Sequence, residues 1–104
     1  MTETQTLPKP QPVALPDGRK GTIYSPAHLL LRRLAGSVHG YVQRGAGASD
    51  TQLRSLARDN HVRLHHERDG ARLVIVGAYL TPSGEKYCEA LDAAAARAEL
   101  LASL

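Results

Sequence analysis

The sequence predicts a small α+β domain closed by a long C-terminal helix, and three observations carry this. A short amphipathic helix ends near Asn60. Two alternating stretches follow, Val62–Glu67 and Arg72–Leu80, joined by a turn at Arg68-Asp69-Gly70. Leu80-Thr81-Pro82-Ser83-Gly84 then opens a helix of about 22 residues, roughly 33 Å long at the α-helical rise. The chain has 104 residues and 42% hydrophobic content, enough for one core. With four Tyr and no Phe or Trp, that core is built mostly from Leu, Val and Ala.

The N-terminal segment 1–22 is predicted as a flexible arm. Its first 16 residues hold four of the six prolines and little apolar pattern. Within it, Asp17-Gly18 can form a tight turn, and Gly21-Thr22-Ile23-Tyr24 a short strand. The body of the domain spans 23–81. Ser25-Pro26 is a helix start, Ser capping free amides and Pro at the first helical position losing nothing. The helix then places Ala27, Leu30, Leu31, Leu34, Ala35 and Val38 on one face. Gly36 and Gly40 each disfavour a helix interior by about 1 kcal/mol. Either Ala27–Arg44 is one helix, or it breaks near Gly36 and a second short helix runs over Ser37–Arg44, the reading favoured here. Gly45-Ala46-Gly47-Ala48 is then a loop. Ser49 or Asp50 caps the next helix, with Leu53, Leu56, Ala57 and Asn60 inward.

Along the first hairpin strand, Val62, Leu64 and His66 point one way and Arg63, His65 and Glu67 the other. Leu73-Val74-Ile75-Val76 is a β-branched partner, and Gly77 marks a bulge or a close approach. Thr81-Pro82 starts the last helix, segment 82–104. Tyr87, Leu91, Ala94, Ala98 and Leu101 recur on it at four, three, four and three, an apolar stripe read as a homodimer interface.

Charge is distributed unevenly. Residues 17–72 carry ten Lys and Arg against five Asp and Glu, and residues 73–104 carry two against four. A basic half beside an acidic terminal helix fits a nucleic-acid partner. One Cys excludes an intramolecular disulfide framework and fits a reducing compartment. Met1-Thr2-Glu3-Thr4 is no secretory start, and no apolar run reaches the roughly 20 residues of a membrane span. The cytoplasm is expected.

The order helix, charged hairpin, long helix resembles the winged helix-turn-helix superfamily. Leu29-Leu30-Leu31-Arg32-Arg33-Leu34 with His39-Gly40-Tyr41 is similar to the first helix and His-Gly-Tyr step of PadR-like regulators. Leu53-Arg54-Ser55-Leu56-Ala57-Arg58-Asp59 resembles their recognition helix. Leu80-Thr81-Pro82-Ser83-Gly84 resembles the start of their dimerisation helix, a step shared with MarR-like regulators. The resemblance covers about residues 26–100. It implies a small winged helix-turn-helix domain with a long C-terminal dimerisation helix. The function it implies is a sequence-specific DNA-binding transcriptional regulator, a repressor acting as a homodimer on double-stranded DNA.

The residues offer contacts of that kind. Thr51, Gln52, Arg54, Ser55 and Arg58 lie on the third predicted helix, where Arg reads guanine and Gln adenine edges. Arg63, His65, Arg68 and Arg72 lie on the hairpin, where a basic tip straddles a phosphate backbone. The alternative is a non-enzymatic protein-interaction module of winged-helix type, of phage or plasmid origin. The low net charge, the acidic last helix and the lack of an aromatic residue on the third helix favour it. His61, His65 and His66 have no chelating spacing if they lie on a strand, so no metal or other cofactor is expected. Cys88 falls on the inner stripe as packing. No nucleophile elbow, phosphate loop or paired-carboxylate pattern is present, so an enzyme is not expected.

Overall fold

The computed structural model describes residues 9–16, 18–45 and 48–104. Residues 1–8 of the predicted arm, Asp17 of the first turn, and Ala46 and Gly47 of the predicted loop lie outside the described residues. The elements are β1 (Gln11–Ala14), β2 (Lys20–Ile23), α1 (Pro26–Gly36), β3 (Tyr41–Gln43), α2 (Asp50–Arg58), β4 (Val62–Asp69), β5 (Arg72–Leu80) and α3 (Pro82–Ala102). The class is α+β, with two antiparallel sheets, β1-β2 and β3-β5-β4.

Where the sequence predicts an arm, residues 11–14 form a strand. Gln11 pairs with Ile23 and Ala14 with Lys20. The hairpin is held on α3 by Leu15, Ile23 and Tyr24, which pack with Leu91, Ala94 and Ala95. Gly21 lets the two approach, since a Cβ there would lie 2.8 Å from Leu91 Cδ2. The signal is weak because, of the four residues of β1, Val13 alone is even partly buried.

Ser25 caps α1 by accepting from the His28 amide at 3.1 Å. The helix stops at Gly36, and the expected second helix Ser37–Arg44 is instead a turn and the strand β3. Ser37 explains the change. Its hydroxyl donates to the Leu34 carbonyl at 2.8 Å and accepts from the Tyr41 amide at 3.0 Å. It thereby replaces the bonds a continuing helix needs. Gly40, at φ +62°, then turns the chain so that Tyr41, Val42 and Gln43 pair with Tyr79, Ala78 and Gly77. Val38, expected inward, is 93% exposed, and Ala27 and Ala35 are exposed too. Two helices, not three, therefore precede the β4–β5 hairpin.

Ser49 and Gln52 form a capping box at the start of α2. The helix ends in a Schellman motif: Asn60 at φ +64°, its amide bonded to Ala57 O and the His61 amide to Leu56 O. Asn60 thus serves as a left-handed cap, not as part of an inner face. The β4–β5 ladder runs from Val62↔Leu80 to Asp69↔Arg72, with an irregularity at His65/His66 that leaves Val76 without a partner on β4, its carbonyl accepting from the Arg44 amide instead. Gly70 takes a positive φ of 66° at the first turn position, as a two-residue hairpin turn of the primed kind requires.

Thr81 caps α3 and also donates from its hydroxyl to the Asn60 carbonyl at 2.7 Å. Gly84 packs directly on the His61 carbonyl, where any Cβ would overlap the oxygen. Two apolar clusters result. One joins Leu30, Leu31 and Leu34 to Leu53, Leu56, Val42, Val62, Ile75, Ala78 and Cys88. The other is the hairpin β1–β2 on α3. Helix α3 contributes to both and ties them together. No helix of the described residues is long and apolar enough to cross a membrane.

Candidate nucleic-acid interface

Helix α2 rests Leu53 and Leu56 on the sheet and turns its other side outward. Thr51, Arg54, Ser55 and Arg58 are exposed. Gln52 is half-buried, and its side-chain oxygen accepts from the Ser49 amide at 3.0 Å. It is thus a cap before it is a base reader. Thr51, Gln52 and Ser55 also line a shallow recess with Pro26, Ala27 and Leu56 at the start of α1.

The hairpin residues divide between the two faces of the sheet. Val62 and Leu64 face α2 and the core, so strand alternation puts Arg63, His65, Glu67 and Asp69 on the outer face. Arg72 pairs with Asp69 and joins them, while Arg68 and His66 fall on the core side, beyond the packed residues. The structure therefore brings Arg63, His65 and Arg72 to one face and keeps Arg68 apart from them. Arg54 and Arg58 belong to the layer on the other side of the sheet. Of these residues, His65 is the one with a built environment.

That environment was not read from the sequence. On the outer face, Tyr41 of β3 and Tyr79 of β5 are cross-strand partners with ring centroids 4.6 Å apart. His65 lies 5.7 Å from the first ring and 5.9 Å from the second. The Tyr41 hydroxyl and His65 Nδ1 are hydrogen-bonded at 3.0 Å. Burial raises the Tyr41 phenol above its ordinary range, and Tyr79 and Glu67 add to the effect, so it stays protonated at neutral pH. Tyr79 is legible from alternation along β5. Tyr41 is not, because the sequence pattern favours a helix over its segment, Ser37–Arg44.

A second polar group sits between α1 and α3. His28 is fully buried, and its Nδ1 accepts from the Tyr24 amide at 2.8 Å. The proton is therefore on Nε2, which donates to Asp92 Oδ1 at 2.7 Å. Arg32 Nε donates to the same oxygen at 2.7 Å, and the Cys88 thiol lies 3.7 Å from Asp92 Oδ2. Burial pushes the Asp92 carboxyl up, but the hydrogen bonds from Arg32 and His28 outweigh it and hold it below the usual range. Burial, with Asp92 adding, pushes the Cys88 thiol up to about 11. Cys88 faces a carboxylate, and His28 has spent both nitrogens on structure. The group fastens two helices and sets up no thiolate nucleophile. Tyr24 extends it, bonded through its hydroxyl to Glu99 and lying under the Arg32 guanidinium.

The histidines of the predicted hairpin separate. His61 is buried, His65 lies on the outer face and His66 on the opposite one, and no group of three potential ligands occurs among the described residues. The α3 stripe is divided as well. Leu91 and Ala94, 1% and 5% exposed, are covered by the chain's own β1–β2 hairpin, and Tyr87 is half-buried against His61. Ala98 is half-buried, and Leu101 is exposed together with Leu100 and Leu104. No protein-family model, curated protein or solved structure matches the chain.

Proposed function

We propose that the chain is a DNA-binding transcriptional regulator of winged-helix type, a repressor in which α2 lies along a duplex and the β4–β5 hairpin acts as the wing. The observation that carries this reading is the coupling of helix to hairpin. Asn60 leads α2 straight into β4, and Leu53, Leu56, Val62 and Ile75 pack the two on one core. A rigid helix with exposed Arg54 and Arg58 is thereby held at a set angle to a hairpin carrying Arg63, Arg68 and Arg72. Arginines contact base edges or phosphates, and each neutralised phosphate makes binding more sensitive to salt. Exposed Leu100 and Leu101 near the end of α3, with half-buried Ala98 before them and exposed Leu104 beyond the helix, offer the apolar surface for a homodimer. A two-fold pair would present two copies of α2 about one DNA turn apart. No metal or other cofactor enters this reading, and no catalysis does.

The test is duplex binding against salt. Binding at low salt should weaken steeply as salt rises, and Arg54→Ala/Arg58→Ala should reduce both the affinity and the salt slope. A chain that retains neither its own promoter region nor random duplex at low salt would overturn the proposal. The division of the hairpin arginines between two faces favours a second reading, a protein-interaction module. Pull-down of one stoichiometric protein partner with no DNA retained would support it.

A further inference from the structure

The outer face of the β3-β5-β4 sheet holds a pair of tyrosine rings that neither the core nor the proposed duplex contact uses, beside Arg63, which the duplex reading shares. Tyr41 starts on β3, and its hydroxyl reaches His65 on β4, with β5 between them. To span that distance the ring must lie along the sheet. Gly77 of β5 permits it, because a Cβ there would overlap the Tyr41 hydroxyl, its Cζ and the Val42 carbonyl oxygen. One face of the phenol thus rests on glycine backbone, and the residue stays partly exposed beside Tyr79 and His65. Tyr79 stands beside it, tilted by 52° and 39% exposed. Two of the four tyrosines in a chain without Phe or Trp are therefore placed on the side of the sheet away from the core.

The surroundings indicate what such a face receives. Tyr79 pairs across the ladder with Arg63, and Gly77 with His65 and Gln43. The cross-strand neighbours are a cation, an imidazole and an amide, and the Glu67 carboxylate lies near enough to act on Tyr41. Flat rings flanked by a cation are the features by which proteins hold unpaired bases: every base has a π-face, and the cation meets the phosphate. A paired base offers its stacking face to its neighbours in the duplex, so this surface discriminates in favour of single strands.

We propose that the outer sheet face is a stacking platform for single-stranded nucleic acid. Tyr41 and Tyr79 take the faces of adjacent bases, His65 holds Tyr41 flat, Arg63 neutralises a phosphate, and Gln43 offers hydrogen bonds to a base edge. The inference goes beyond the duplex reading and does not depend on it.

The experiment measures anisotropy of labelled oligothymidylate and oligouridylate of about 15 nucleotides, and of a duplex, at low salt. The full chain is compared with Tyr79→Phe, Tyr79→Leu and Arg54→Ala/Arg58→Ala, each checked by thermal melting. Wild type should bind the single strands. Tyr79→Leu should bind them at least about tenfold more weakly at an unchanged melting temperature, and Tyr79→Phe should retain them within about twofold, as stacking requires. Gly77→Ala should lift Tyr41 and weaken binding further; if it fails to fold, the Tyr79 pair still decides. The DNA and RNA arms show which sugar is preferred. Loss of duplex binding in the arginine variant with single strands retained would separate the two surfaces. Absence of single-strand binding, equal affinity of Tyr79→Leu and wild type, or equal losses on duplex and single strand would each overturn the platform. Duplex binding by wild type without single-strand binding would overturn it alone and leave the regulator reading standing.

Discussion

The imidazole of His61 lies nearly parallel to the Tyr87 ring, centroids 4.2 Å apart and 14° from coplanar. The residue is 4% exposed, and neither ring nitrogen has a hydrogen-bond partner among the described residues. Burial lowers its pKa from the ordinary 6.5, Asp59 opposes this, and Arg19 adds to it. The unfolded chain therefore takes up this proton more readily than the folded one. Stability is full above about pH 6.5 and falls as the pH drops through that value. His61→Phe keeps the stack and removes the titration. Urea midpoints from about pH 8 to about pH 5 should fall more for wild type than for the variant. Equal slopes would refute the assignment.

His28 and Asp92 are hydrogen-bonded partners but should not be equivalent. Asp92 is 44% exposed at its side chain, so Asp92→Asn should cost less than about 1 kcal/mol near neutral pH after solvent screening. Its lowered pKa gives stability above the ordinary 3.8 that is lost as the pH falls through the folded value, and the variant should lack that acid limb. His28→Leu should cost about 2 kcal/mol or more, because the Tyr24 amide then loses its acceptor in the interior. Chemical denaturation of both variants checks the order.

Two glycines should respond oppositely to alanine. Gly84→Ala drives a methyl group into the His61 carbonyl, which is backbone and cannot rotate away. A loss of about 3 kcal/mol is expected. Among the described residues nothing lies within 4 Å of the corresponding position at Gly36, at the end of α1. Gly36→Ala should stabilise by about 0.5 kcal/mol. Thermal melts of the pair test whether close approach alone sets the difference.

Asn60 and glycine should be nearly interchangeable, and alanine should not. The residue holds the left-handed cap of α2 at φ +64°. Asn60→Ala should lose about 1 kcal/mol and Asn60→Gly little or none. Unfolding midpoints of the two variants give the comparison.

Leu91 and Leu101 share one predicted stripe on α3 but differ in burial, at 1% and 63% exposed. Leu91→Asp places a charge between α3 and the β1–β2 hairpin and should abolish cooperative folding. Leu101→Asp should leave the melting temperature within a few degrees of wild type and, for the proposed homodimer, shift sedimentation toward the monomer. A folded Leu91→Asp chain would contradict the packing of the hairpin.

Much of the fold is local and was legible in the residues. Ser25-Pro26, Ser49 or Asp50, and Thr81-Pro82 each signal a helix start through a bond between neighbours, and the structure has all three starts, with Ser49 as the cap of the second and Gln52 completing its capping box. Alternation and the turn at Gly70 likewise determined the β4–β5 hairpin, whose strands are adjacent in sequence. What needed the tertiary structure is nonlocal. β3 is three residues long and exists only because β5, over thirty residues later, supplies its hydrogen bonds. Without that pairing Tyr41 has no side of a sheet to occupy, so its meeting with Gly77, Tyr79 and His65 could not be read from spacing. The apolar stripe of α3 posed the same problem in another form. Periodicity determines that such a stripe is buried, but burial by a partner chain and burial by the chain's own β1–β2 hairpin give one and the same pattern. Only the path of the backbone decides between them, because the hydrophobic effect rewards covered area without regard to which segment covers it.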